Sequence, residues 1–251
     1  MAGCGCDLDH YRPGADALVT TRLVLFDIDG TLLWTDGAGR RAIHRALIEV
    51  FGETGAQNHR FDGKTDPQIV RELMHDVGHD DAHIDARLQQ LFNRYVQCLR
   101  EELRDPAHPS KPLPGVTELL DVLAERDDVT LGLLTGNLVE GARAKLEAVG
   151  IDPDLFVVGA YGSDHELRPE LPAIAQRRAR ELLGVDVSGP EIVVIGDTPA
   201  DVQCGRDIGV RAIGVATGRY TTDDLAAHGA AAVFADLTDT EAVVRAILDD
   251  R

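Results

Sequence analysis

Two carboxylates stand one residue apart where an apolar run of the chain ends. Residues 22–26 (RLVLF) are typical of a buried strand, and Asp27 and Asp29 follow, with the turn residue Gly30 directly after them. An ionised carboxylate is costly to remove from water unless a cation or hydrogen-bond donors meet it. Side chains two residues apart on an extended segment share a face, so both could act on one bound group. Taken alone, the pair fits turn capping equally well, because Asp is a common turn residue.

Two further strand ends in the second half of the chain also carry polar residues. One predicted strand ends in Thr135, Gly136 and Asn137, and another leads into the run GDTPAD at residues 196–201. Ligands bind at the carboxyl ends of strands in an open parallel sheet. Carboxylates, a hydroxyl and helix N-termini together suit Mg²⁺ and a phosphoryl group.

The elements that must position these residues follow from hydrophobic periodicity. Between the first strand and the second half, helices are predicted around residues 43–51, 66–77 and 82–103, with Asp66 as the N-cap of the second. From Pro114 onward, helices alternate with strands, which indicates a parallel sheet. The predicted helices there are 116–126, 139–149, 171–183 and 240–248, and the predicted strands are 129–134, 156–159, 192–195, 212–215 and 232–234.

The first strand has no predicted neighbour until the second half of the chain begins. We therefore expect an α/β fold with a Rossmann-like parallel sheet core and an inserted all-helical cap. The predicted divisions are a flexible tail at residues 1–20, a core at 21–34 and 111–251, and a cap at 35–110.

The polar runs resemble the first, second and fourth motifs of the haloacid dehalogenase superfamily in order and spacing. They are DIDGTL at residues 27–32, LLTGN at 133–137 and GDTPAD at 196–201. The predicted helical insert resembles the cap of the phosphoglycolate phosphatase-like branch. The resemblance implies a Mg²⁺-dependent phosphatase that acts on a small phosphorylated metabolite, similar to phosphoglycolate, through an aspartyl-phosphate.

The resemblance also implies a role for each matching residue. Asp27 would be the nucleophile, Asp29 the general acid and then the base, and Thr135 a donor to the transferring phosphate. The Mg²⁺ ligands would be Asp27, Asp29 through its backbone carbonyl, and Asp197, with Asp201 as a further ligand or as a partner of the ligands. Substrate contacts would come from Thr135, Gly136, Asn137 and two cap cations, Lys64 and Arg40.

The third motif of the family supplies a cation that screens the charge between nucleophile and phosphate. The candidate is Arg168 in the run LRPELP at residues 167–172. This run resembles the third motif of the family but is one residue longer than usual. Arg177 and Arg178 are alternatives inside the following predicted helix. We expect Arg168 to take this role.

Several activities share these core residues. A phosphomutase, a sugar-phosphate phosphatase or a nucleotide phosphatase would each use them, whereas a dehalogenase has little use for the second carboxylate, Asp29. A non-catalytic binding module would have no chemical need for the acidic set. Phosphomonoester hydrolysis is therefore the predicted activity.

Composition narrows the classes of partner. The chain has 251 residues, with 25 Lys and Arg against 43 Asp and Glu, and a net charge of -18 argues against general affinity for nucleic acid or anionic membranes.

No apolar run approaches the roughly 20 residues that span a bilayer. Asp and Gly interrupt residues 1–20 where a signal peptide would be apolar, so we expect a cytoplasmic protein. Cys4 and Cys6 are expected to be reduced thiols of the tail, and no pattern specifies an oligomeric state.

Overall fold

Six parallel strands form the central sheet, in a computed structural model that describes residues 22–184 and 186–249. In chain order the strands are β1 (Arg22–Phe26), β2 (Leu33–Trp34), β3 (Lys111–Pro112), β4 (Val129–Thr135), β5 (Val158–Tyr161), β6 (Ile192–Gly196), β7 (Arg211–Val215) and β8 (Ala232–Phe234). The order across the sheet is β5-β4-β1-β6-β7-β8, and β2 pairs with β3 in a separate antiparallel ribbon. The expected α/β fold with a parallel core is confirmed.

Helices cover both faces of this sheet. In chain order the described helices are α1 (Ala38–Phe51), α2 (Asp66–Asp76), α3 (Asp81–Glu102), α4 (Val116–Ala124), α5 (Val139–Ala148), α6 (Leu171–Leu183), α7 (Pro199–Gln203), α8 (Thr222–Ala227) and α9 (Thr240–Leu248). Helices α4, α5 and α9 share an apolar core on one face, and α6 packs on the other face. None of the helices in the described residues is both long and apolar enough to cross a membrane.

Every residue of β1 is buried because both faces of this central strand are covered. Val24 and Phe26 belong to the core that α4, α5 and α9 complete, whereas Leu23 and Leu25 belong to the core against α6. Successive side chains of a strand point to opposite faces, so a strand covered on both sides needs a continuous apolar run. This requirement accounts for the apolar residues 23–26 of β1, which ends at the carboxyl edge of the sheet.

Helices α1, α2 and α3 pack around an apolar core of their own, which includes Leu47, Leu73 and Leu91. The two segments that connect these helices to the sheet pair with each other as the ribbon of β2 and β3, in which Leu33 pairs with Pro112. We infer that the cap domain lies between the strands of this ribbon, as the predicted span 35–110 has it.

The start of α2 differs from the prediction by one residue. Thr65, not Asp66, is the N-cap, and its side-chain oxygen accepts a hydrogen bond from the Gln68 N–H at 3.2 Å. Asp66 lies in the first turn, and its Oδ2 accepts instead from the backbone N–H of Leu138 in the core, at 2.9 Å. The prediction was wrong because a long-range contact takes the carboxylate that local rules assign to the cap.

Strand β5 begins two residues later than the predicted strand at 156–159. A 3₁₀ turn at Pro153–Leu155 precedes it, and Phe156 packs into the apolar core instead of opening the strand. The apolar run therefore indicated a buried segment correctly but not where strand pairing starts. By contrast, α6, α9 and β8 have the predicted bounds.

The predicted tail, with Cys4 and Cys6, lies outside the described residues. The other two cysteines, Cys98 and Cys204, are buried free thiols. The cytoplasmic location stays a prediction.

Candidate active site

Three buried carboxylates converge at the carboxyl edge of the sheet. Asp27 follows β1, Asp197 follows β6, and Asp201 lies in the short helix α7. Their relative exposures are 6%, 5% and 1%, and each offers an oxygen within 4.8 Å of the others. The Asp27 N–H donates to the Ile195 carbonyl at 2.9 Å, which ties the two strand ends together. The structure thus brings together three residues that were predicted from distant motifs.

Arg168 is the cation that the fold places against this cluster. It opens a 3₁₀ turn before α6, and its Nη2 lies 3.0 Å from Asp27 Oδ1 and also binds Asp201 Oδ1. The same nitrogen donates to the Leu134 carbonyl at 3.2 Å. Of the two alternatives, Arg177 is exposed, and Arg178 pairs with Asp164 at 2.6 Å. The expected position of Arg168 beside Asp27 is therefore what the geometry shows.

Burial sets the proton affinities of this cluster. Desolvation raises the pKa of Asp27 to about 6, although Arg168 opposes the shift. Desolvation, reinforced by Asp201 and Asp27, also raises the pKa of Asp197 well above its ordinary value. Burial alone would lower the pKa of Arg168, but the carboxylates of Asp201 and Asp27 raise it, so the guanidinium stays charged. One cation thus faces three carboxylates.

The surroundings of Asp197 fit a hard divalent cation. A Cβ added at Gly30, whose φ is 84°, would lie 2.5 Å from Asp197 Oδ2, and one added at Gly218 would lie 1.8 Å from it. The main chain therefore closes around this carboxylate, and Thr31 Oγ1 lies 3.4 Å from its Oδ1. Clustered carboxylate oxygens with excess negative charge are the donor set that Mg²⁺ takes. Asp27, Asp197 and Asp201 could hold it, whereas the predicted contribution of the Asp29 carbonyl stays a prediction.

The Asp29 side chain lies outside this cluster and has its own partners. It is 44% exposed, and its Oδ2 accepts from Lys145 Nζ at 2.6 Å and from Asn137 Nδ2 at 2.8 Å. Asn137 Nδ2 also lies 2.7 Å from the hydroxyl oxygen of Thr135. The two carboxylates of the first motif therefore have different cations, Arg168 for Asp27 and Lys145 for Asp29.

Lys145 was missed in the sequence, although a signal for it exists. Leu138, Ala142 and Lys145 follow the spacing of one helix face and are all buried. A lysine on the apolar face of a helix indicates a buried partner, since a buried ammonium is costly without one.

A cavity of about 630 Å³ lies between this edge of the sheet and the cap. Both predicted cap cations line it, but each has a partner within the cap. Lys64 Nζ binds Glu72 Oε2, while Arg40 donates to the His59 carbonyl at 2.8 Å and stacks over Phe61 at 3.9 Å. Their predicted contacts with substrate stay a prediction.

Gly136 lets the cap approach the core. A Cβ at this position would lie 2.1 Å from the Lys64 carbonyl oxygen, and the Gly136 carbonyl accepts from the Asp66 N–H at 2.7 Å. The residue predicted to bind substrate therefore lies at the contact between the two parts of the structure.

Comparison with family models decides the family. Residues 21–209 match the model described as haloacid dehalogenase-like hydrolase. The chain belongs to the haloacid dehalogenase-like hydrolases.

Relatives of this hydrolase carry phosphatase names. It is 30% identical over 207 residues to the probable phosphatase IndB of Dickeya dadantii, across 82% of this chain and 85% of the relative. It is also 30% identical over 220 residues to the phosphoglycolate phosphatase of Rhodospirillum rubrum, across 86% of this chain and 87% of the relative. The recognition of a phosphatase-type haloacid dehalogenase from three motifs is thereby confirmed.

A solved structure agrees with the fold. A hydrolase from Pseudomonas syringae matches this haloacid dehalogenase-like hydrolase with a TM-score of 0.70 at 22% identity. The match covers 92% of this chain and 100% of that chain. At this identity the likeness concerns the fold alone.

Proposed function

We propose that the protein is a Mg²⁺-dependent phosphatase that hydrolyses a small, phosphoglycolate-like phosphomonoester through an aspartyl-phosphate on Asp27. The observation that carries this proposal is the division between the two carboxylates of the first motif. Asp27 lies in a buried acidic cluster against Arg168, while Asp29 lies outside it on separate donors. Both line the same cavity.

In the first step, an Asp27 carboxylate oxygen attacks phosphorus and the bond from phosphorus to the ester oxygen breaks. The electron pair of that bond goes to the leaving oxygen, which takes the proton of the Asp29 carboxyl group. The products are an aspartyl-phosphate, the free alcohol and an ionised Asp29. Arg168 remains beside Asp27 and offsets the negative charge that the phosphoryl group brings.

In the second step, Asp29 accepts a proton from water while the water oxygen attacks the phosphorus of the aspartyl-phosphate. The bond between Asp27 and phosphorus breaks, which returns the Asp27 carboxylate and releases inorganic phosphate. Asp29 is then protonated again for the next cycle. A bound Mg²⁺, held by Asp27, Asp197 and Asp201, would supply charge neutralisation for the phosphoryl oxygens.

A sugar-phosphate substrate is the second candidate, because the cavity offers room beyond a two-carbon leaving group. Its volume of about 630 Å³ falls within the range of small-molecule sites. The cavity lining includes Trp34 of the ribbon and Ile43 and Phe61 of the cap, which suit a leaving group with apolar faces. A panel that contains phosphoglycolate and hexose phosphates would separate the two candidates by their kcat/KM values.

The proposal predicts that Asp27→Asn abolishes Mg²⁺-dependent hydrolysis of 4-nitrophenyl phosphate and phosphoglycolate, because an amide cannot act as the nucleophile. The fold should persist by circular dichroism, since the substitution keeps the shape and removes a buried charge. Asp154→Asn, at an exposed position, is the matched control and should keep wild-type turnover. Wild-type rates in Asp27→Asn would refute the mechanism. A wild-type protein inactive on the whole panel would instead favour a binding module.

A further inference from the structure

Lys145 is a buried cation that the two steps above do not use. Its side chain is 4% exposed, and its Nζ lies 2.6 Å from Asp29 Oδ2 and 2.6 Å from Asn137 Oδ1. A Cβ at Gly39, on the first cap helix, would lie 3.4 Å from Nζ, so the cap covers this ammonium. The cation is therefore enclosed between cap and core, with Asp29 as its ion-pair partner.

Packing alone does not account for a lysine at this position. Ala142, on the same face of α5, and Leu138, at the N-cap of that helix, are apolar and buried. Burying an ammonium removes it from water at a cost that an ion pair seldom exceeds, so a hydrophobic residue would serve stability as well or better. A buried ammonium paired with a half-exposed carboxylate therefore indicates a requirement other than stability.

The contacts on Asp29 leave one of its oxygens available. Lys145 and Asn137 both bind Oδ2, and among residues 22–184 and 186–249 no donor binds Oδ1. Two donors on one oxygen fix the plane of the carboxyl group and direct the other oxygen elsewhere. That free oxygen is the one able to carry a proton.

Asp66 of the cap interacts electrostatically with Lys145 but forms no ion pair with it. Asp66 is buried, and its carboxylate is bound by the Leu138 N–H and by the hydroxyl of Tyr95. Lys145 thus keeps its short contacts with Asp29 and Asn137 while the cap is in place.

We propose that Lys145 is a positioning residue that orients Asp29 and stabilises the negative charge that Asp29 acquires as it gives its proton to the leaving group. This inference rests on the proposed function, in which Asp29 is the proton donor. As the ester bond breaks, its electron pair goes to the leaving oxygen and the proton moves there from Asp29. The charge left on Asp29 faces the Lys145 ammonium, whose attraction is therefore greatest when transfer is complete.

Esters with different leaving groups should differ in how much they need Lys145. Phenolate is a poorer leaving group than 4-nitrophenolate and needs its proton more, so the cleavage of phenyl phosphate depends more on the proton donor. If Lys145 instead bound the substrate, its removal would weaken the binding of both esters alike. The dependence on the leaving group belongs to the first chemical step. The rate of the first turnover is therefore measured, with enzyme in excess over substrate and Mg²⁺ present.

Lys145→Met should slow the first turnover of phenyl phosphate about 100-fold and that of 4-nitrophenyl phosphate by less than about 5-fold, since general acid catalysis typically contributes 10²–10⁴-fold. Lys145→Arg should restore most of the phenyl phosphate rate. Arg143→Met removes an exposed cation from the same helix and should match wild type. Should the methionine variant fail to fold, Lys145→Gln provides the same comparison.

Asp29→Asn, measured beside these variants, separates the two proposals. If Asp29→Asn discriminates between the esters and the uncharged Lys145 variants do not, the role of Lys145 is refuted and the proposed function stands. If Asp29→Asn slows both esters equally, proton transfer by Asp29 is refuted, and the inference fails with it. An equal loss on both esters in Lys145→Met, with raised KM, would make Lys145 a substrate-binding residue and overturn its positioning role.

Discussion

At the scale of residues, two aspartates one position apart have different environments. Asp27 is 6% exposed against Arg168, and Asp29 is 44% exposed on its side chain against Lys145. The two carboxylates therefore face different cations, and only Asp27 lies inside the acidic cluster, which suits the separate roles proposed for them. The pair itself was predictable from the sequence, but its partners were only partly so, because they come from more than a hundred residues further along the chain.

Arg168 tests the buried ion-pair cluster. Arg168→Met leaves Asp27 and Asp201 without their guanidinium, and breaking a buried pair costs about 3–5 kcal/mol of unfolding free energy. Activity with Mg²⁺ should fall with it, because Arg168 offsets charge at the phosphoryl group. Urea unfolding and phosphatase assays measure both effects. The exposed Arg177→Met is the control, and equal behaviour of the two variants would contradict the role of Arg168.

The dependence of Mg²⁺ binding on pH follows from the raised pKa of about 6 for Asp27. The folded state binds more protons than the unfolded state between about pH 4 and 6, so this group makes the metal-free protein less stable as pH rises through that window. Mg²⁺ needs the ionised carboxylate. The rise in Tm on adding Mg²⁺ should therefore be larger at about pH 7.5 than at about pH 5. Equal Tm rises at both pH values would show that Asp27 is not titrating at the site.

At the scale of elements, the site is made by the ends of β1, β4 and β6 and by residues of the cap. Helices α6 and α9 were predictable because their apolar faces and ends are local features of the sequence. The ribbon of β2 and β3 was not, since each strand has two residues and they pair across the whole cap. Asp66 shows the same limit, because its partner, the Leu138 N–H, is far away in sequence.

Gly136 tests the contact between cap and core. In Gly136→Ala the new Cβ would lie 2.1 Å from the Lys64 carbonyl oxygen. That oxygen is a backbone atom and the Cβ is bonded directly to the backbone, so neither can rotate away and the cap must move. A displacement of about 1 Å can cost about 100-fold in rate, and we expect a loss of that order in kcat/KM for phosphoglycolate. Gly141→Ala, whose Cβ would come no closer than 3.5 Å to its neighbours, should keep wild-type activity. Full activity in Gly136→Ala would show that the cap contact is dispensable.

At the scale of the whole molecule, a net charge of -18 surrounds a site proposed to bind an anion. The attraction must therefore be local, and the buried cation Arg168 lies beside the proposed nucleophile, where it is needed. The sequence revealed the order of the sheet motifs, the family and all three carboxylates of the acidic cluster, since these residues lie in short contiguous motifs. It could not reveal how the cap closes on the core, because that depends on packing between distant surfaces.

The nucleophile is the central claim, and Asp29→Asn offers the most direct measurement of it. Without its base, this variant should be phosphorylated by 4-nitrophenyl phosphate but hydrolyse the product slowly. After acid quenching and trypsin digestion, mass spectrometry should find one phosphoryl group on the peptide of residues 23–40, located on Asp27. Repeated release of 4-nitrophenol with that peptide unmodified would contradict the account.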